Sequence, residues 1–287
     1  MPATAAIGLT GYEVHPEVWL LVAAVAGLGV YAVRSIGPMA VTDGSPVVTR
    51  LQRWCFVAGV LLLWLAADWP MHDIAEEHLY FVHMIQHLII SFIVPPLLLL
   101  AMPAWLARLL IADDGLAQRG LRFLARPLVA GVIFNALQVL AHWGAVVELS
   151  AKSGGFHFGL HLAVFFSALL MWFPVLGPLP EMQMSEPGKM IYLFLMSIVP
   201  TVPAGWLTFA EGVVYPSYDT GTPLWGISPV HDQQAAGAVM KILGGFYLWT
   251  IIAIRFFRYA ADQRSADIAA RRESQLTYAD FERETKA

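Results

Sequence analysis

Long apolar runs alternate with short polar breaks from near residue 17 to residue 257. Runs near 17–34, 54–70, 79–101, 127–148, 156–176, 189–210 and 235–257 each approach the roughly 20 residues that a helix needs to cross a hydrocarbon core. They predict an all-α, polytopic membrane protein with seven transmembrane helices. Prolines mark two of the runs. Pro95 and Pro96 lie in the second half of the third, and Pro200 and Pro203 fall in SIVPTVPAGW of the sixth. Each proline removes a backbone donor, so kinks are expected there.

The polar breaks give the orientation. Arg34, Arg50 and Arg53 fall in the first loop, Arg108, Arg119, Arg122 and Arg126 in the third, Lys189 in the fifth, and Arg255 opens a basic tail. Together these sites hold 15 of the 17 basic residues, all on one side. The positive-inside rule makes that side cytoplasmic, which places the N-terminus outside and the C-terminus in the cytoplasm. Residues 1–257 are expected to form one membrane domain and 258–287 a charged cytoplasmic tail, either a solvated helix or a docking segment. The third loop, PAWLARLLIADDGLAQRGLRFLARP, reads as an amphipathic helix along the inner surface.

Composition agrees with the pattern. Hydrophobic residues make up 58% of the chain and charged residues 13%, against about 25% charged in a soluble domain. Mean hydropathy is +0.62. The net charge of −4, with arginines spread over several loops, gives no footprint for nucleic acid. The first nineteen residues carry no Lys or Arg, so the first apolar run reads as a retained helix rather than a secretory signal. Cys55 is the single cysteine and has no partner for an internal disulfide.

The candidate chemistry lies in the histidines. There are nine: His15, His72, His78, His83, His87, His142, His157, His161 and His231. The predicted topology puts all of them in the outer half. HMIQH opens the third helix and FHFGLH the fifth, so His83/His87 and His157/His161 form two four-residue pairs at one depth, each on one helix face. A lone histidine at an interface is usually satisfied by a neighbour, but paired imidazoles at the start of two apolar helices point to a shared polar site. His83, His87, His157 and His161 are the expected core ligands, with His72, His142 and His231 as further ligands or supports. Asp68 would set a histidine tautomer or balance charge. Met84 brings a thioether and Gln86 stands beside His87. Met240 and Lys241 lie two turns into the last helix. Lys241 reaches the interface by snorkelling, or pairs with Asp68 or Glu211.

Imidazole and thioether without thiolate suit copper better than structural zinc. A zinc protease would need H-E-x-x-H, and Met84 stands where the glutamate belongs; Glu76 or Glu77 would have to reach in from a loop. No residue set suggests an enzyme. Two other readings stand beside copper: haem held by histidines of different helices, and a metal-free scaffold whose histidines only form hydrogen bonds.

HMIQHLIISFIVPPLLLLAMPAW resembles the signature of the seven-helix CtaG family, assembly factors of caa-type cytochrome c oxidases. HDQQAAGAVMK resembles that family's D-Q-x-x-A-G-x-x-M segment, here Asp232, Gln233, Ala236, Gly237 and Met240, and FHFGLH also fits. The likeness spans roughly residues 17 to 257. It implies a multi-pass protein of the bacterial plasma membrane that assists oxidase maturation by delivering or inserting copper for the haem–copper centre. Its partners would be a haem–copper oxidase subunit, the lipid bilayer and a copper donor protein. The resemblance carries His83, Gln86, His87, Asp232, Gln233 and Met240 as site residues.

Overall fold

The structure, a computed structural model, describes residues 15–111, 115–221 and 224–286. The extracellular segment expected over 1–14 and the centre of the amphipathic third loop, 112–114, lie outside the described residues. Helices dominate, and no strand occurs among the described residues. In chain order they are α1 (Pro16–Ala40), α2 (Arg50–Ala67), α3 (Met71–Glu77), α4 (Tyr80–Ala101), α5 (Ala104–Ile111), α6 (Leu116–Leu124), α7 (Pro127–Ala141), α8 (Gly144–Lys152), α9 (Gly154–Leu176), α10 (Glu186–Thr208) and α11 (Pro229–Lys286). Helices α1, α2, α4, α9, α10 and α11 are long and apolar enough to cross a membrane, which makes six candidate spans among the described residues, or seven if α6 and α7, bent by 74° between them, are counted as one span.

The fourth span is where pattern and structure part. The apolar pattern predicts a span to 148, but α7 stops at Ala141 and a separate short helix, α8, restarts at Gly144. The chain turns at His142 and Trp143. The Gln138 carbonyl accepts the His142 N–H and also meets Nδ1 of the His142 ring at 2.6 Å, so the ring folds back on the last turn. Hydrophobicity alone does not report such a turn. At the other end, α11 runs unbroken through residue 257 for 58 residues, so the basic tail continues the last span as helix.

The expected kink in α4 takes a specific form. Ile89–Ile93 is a wide π-turn directly before Pro95 and Pro96. Pro95 has no N–H for the Ser91 carbonyl one turn back. That carbonyl instead accepts the indole N–H of Trp172 of α9 at 3.0 Å. The proline thereby ties two helices together. Trp172, Phe134, Met171, Leu193 and Leu248 form the main apolar core around this joint, all fully buried. Beyond it, Glu186 accepts from Lys189 and from Arg255, both at 2.7 Å, and fastens α10 to α11. Lys189 is buried there, with Gln183 as its other partner.

The second half of α10 lies against the start of α11 at close range. A Cβ on Gly237 would stand 2.6 Å from the Ala204 carbonyl oxygen and 2.7 Å from the Thr208 nitrogen. Backbone cannot yield as a flexible side chain can. Gly237→Leu is therefore expected to destabilise the bundle by about 1–3 kcal/mol or more. Gly245→Ala, whose Cβ meets nothing, should be neutral or gain up to about 1 kcal/mol of helix propensity. Thermal unfolding of the purified variants in detergent checks both.

Candidate metal centre

The first N–H groups of a helix have no partner within it, and α4 opens in a buried position with no side-chain cap of its own. The partner comes from the far end of the sequence. Asp232, 1% exposed in the first turn of α11, accepts the Tyr80 N–H at 2.7 Å and the Phe81 N–H at 3.0 Å. The next residue, Gln233, accepts from the Val214 and Tyr215 N–H groups and donates to the Tyr215 carbonyl. Tyr215 in turn donates its hydroxyl to the His142 carbonyl at 2.7 Å. One Asp–Gln dipeptide thus fixes α4, α11, the loop before α11 and the end of α7. The sequence expectation placed this pair beside a metal; the structure gives both side chains to backbone amides.

His83 follows one turn below the Asp232 cap and His87 a turn deeper. His157 and His161 face them from α9, whose start is capped by Ser153. The rings pack closely. Centroids are 4.5 Å apart for His83–His87, 4.8 Å for His87–His161, 5.5 Å for His83–His161 and 4.2 Å for His157–His161. His83, His87 and His157 are 7–8% exposed. Tyr80 stacks on His83, and Val147 and Ser150 of α8 help to wall the chamber.

Glu76, which sequence reasoning weighed only as a loop-borne base, enters this chamber. Its Oε1 lies 2.6 Å from His157 Nε2 and 3.3 Å from His83 Nδ1. Burial alone would raise its pKa. The hydrogen bonds and charges of His157 and His83 outweigh burial and hold the carboxyl far below its ordinary value. The missed signal was spacing: His72 and Glu76 are four apart in HDIAEEH, and the segment is the short helix α3 rather than loop. Ser150 Oγ, 2.8 Å from His157 Nδ1, orients that ring and was also missed.

The remaining candidates fall at the edge or elsewhere. His72 sits at the rim, its centroid 6.0 Å from His157, and its Nδ1 accepts from the Gln86 amide at 3.2 Å. Burial lowers its pKa. Gln86 gives its other N–H to the Ala66 carbonyl, so its amide braces α2, α3 and α4. Three expectations need correction. His231 is exposed and turned onto the Ser228 hydroxyl that caps α11, so it does not join the cluster. Asp68 accepts the Trp64 indole N–H at 2.8 Å and orients no histidine. Lys241 pairs with neither Asp68 nor Glu211; it donates to Thr201 Oγ1 at 2.6 Å, where α10 is broken. His142 and Met84 meet each other on the deep side of the cluster, His142 Nε2 standing 3.4 Å from Met84 Sδ, and Met240 packs beside Met84.

The donor set fits a cation. One ligand atom from each of His83, His87 and His161 lies within 4.8 Å of the others, and the same holds for Glu76, His157 and His161. His161 belongs to both sets. Donors on a tetrahedral ion at about 2.0 Å stand about 3.3 Å apart, so small ring rotations close either set. His87 Nδ1 and His161 Nε2 are buried without a hydrogen-bond partner. Each such atom costs about 1–3 kcal/mol unless something satisfies it. Thiolate is absent from the site: Cys55 lies in α2, about 18 Å along the helix from its histidine end.

A family model described as cytochrome c oxidase caa3 assembly factor (Caa3_CtaG) matches residues 28–262. No curated protein and no solved structure matches the chain at a significant level.

The capping role of Asp232 predicts a graded loss. Asp232→Ala strands two buried amides, at about 1–3 kcal/mol for each. Asp232→Asn keeps one carbonyl acceptor and should lose less. Thermal unfolding in detergent should rank wild type above Asn and Asn above Ala.

Proposed function

Because the chain belongs to the cytochrome c oxidase caa3 assembly factor family, we propose that it matures the oxidase by taking up copper in the cluster of His83, His87, His157, His161 and Glu76 and handing it to the catalytic subunit. The observation that carries this reading is the convergence of four imidazoles from two apolar helices, with buried ring nitrogens left unpartnered. In this reading copper is cargo. Its ligands must exchange, and two overlapping donor sets sharing His161 allow an ion to shift between partners without ever being fully stripped.

The remaining parts of the proposal follow from charge. The basic residues gather at the end opposite the histidines, which supports placing the cluster at the outer face of a bacterial plasma membrane. Copper would then arrive from an extracytoplasmic donor protein and leave toward an oxidase subunit in the same bilayer. The chain performs no covalent chemistry of its own. Ring centroids only 4.2–5.8 Å apart favour an ion over haem, because a macrocycle clamped by two of these rings would have to displace the others.

Protein purified after growth in copper should carry the metal, and the His83→Ala/His87→Ala double variant should carry about tenfold less or lower. Membranes from cells bearing the variant should lose oxidase activity at limiting copper. Equal copper in both proteins would remove these histidines from the site. Full oxidase activity with a folded variant would favour a metal-free scaffold.

A further inference from the structure

The deep wall of the histidine chamber holds a contact that hydrogen bonding does not explain. His142 Nδ1 stands 2.6 Å from the Gln138 carbonyl oxygen. A carbonyl only accepts, so Nδ1 carries the proton and Nε2 of the neutral ring presents its lone pair. That lone pair faces the Met84 thioether sulfur at 3.4 Å. Both groups are acceptors and both are buried. Two soft donors therefore point at each other with no hydrogen between them.

Resting on the copper reading above, we infer that Met84 Sδ and His142 Nε2 form a second, softer position selective for monovalent copper, distinct from the imidazole–carboxylate position at Glu76, His157 and His161. With metal–sulfur and metal–nitrogen bonds of about 2.3 and 2.0 Å, donors 3.4 Å apart subtend about 104°. That angle suits a three-coordinate or tetrahedral ion and leaves room for a further ligand. Thioether and imidazole without carboxylate select Cu(I) over Zn(II) or Cu(II). His87 connects the two positions: its ring lies 4.8 Å from His161 and 6.4 Å from His142.

The surroundings give the position a direction. Met84, His87 and His142 line the histidine chamber and also a second cavity reaching toward α10 and α11, where Met196 and Met240 add two more thioethers. Along the path from Glu76 to Met84 the ligands change from carboxylate and imidazole to imidazole and thioether. Cu(I) enters and leaves as Cu(I), so each step exchanges ligands and no electron is transferred.

The test is X-ray absorption at the copper edge, on protein loaded anaerobically with Cu(I) and equilibrated against a Cu(I) chelator. Wild type is expected to hold two equivalents and to show a sulfur scatterer near 2.3 Å. Met84→Leu, which conserves volume, should hold one equivalent with nitrogen and oxygen scatterers only. Copper without sulfur in the wild-type spectrum would overturn the second position and leave the imidazole cluster standing. So would an unchanged spectrum and stoichiometry in Met84→Leu. Wild type that retains no Cu(I) against the chelator would overturn both this position and the copper function. The wild-type spectrum decides the matter even where the variant folds poorly.

Discussion

A carboxylate from one helix closes the open end of another. Asp232 takes the first two N–H groups of α4, some 150 residues earlier in the chain, in a place that water does not reach. In an apolar medium such donors must be paired or the helix frays. The pairing sets the depth of α4 against α11 and so sets the height of His83 and His87. Gln233 extends the same lock to the loop over the site and, through Tyr215, to His142. The imidazoles then meet those of α9 because each helix start is pinned, not because the rings attract one another.

The far half of the bundle is held by different means. Pro95 leaves the Ser91 carbonyl free and Trp172 fills the gap, so the kink in α4 doubles as a link to α9. Glu186, Lys189 and Arg255 fasten α10 to α11 beyond it. Apolar packing and a compact ion network hold that half together. The histidine half carries the unpartnered ring nitrogens of His87 and His161 and the chamber they line, the features expected where an ion must enter and leave.

Much of this was legible in the sequence, for reasons that also mark the limit. Apolar runs announce spans because lipid tolerates little else, and four-residue histidine pairs announce a face because helix geometry is fixed. The end of α7 was not legible, since a turn at His142 and Trp143 between two apolar stretches leaves little trace in hydropathy. Glu76 was hidden because α3 is too short and polar to look like anything but loop. Asp68, His231 and Lys241 looked like site residues by proximity in sequence, yet an indole, a cap hydroxyl and a threonine claimed them first. The jobs of Asp232 and Gln233 are tertiary: nothing near them in the chain shows that they bind the backbone of α4 and of the loop before α11.

What unites these observations is a single physical proposition: imidazoles from α4 and α9, held at one depth by caps, leave their lone pairs for an ion inside an apolar bundle. Crystals of copper-loaded protein measured on either side of the copper edge would put this to the test. An anomalous peak enclosed by His83, His87, His157 and His161 is the predicted result. A bundle with these rings hydrogen-bonded to one another and no peak among them, or with the only peak at the exposed His231, would contradict it.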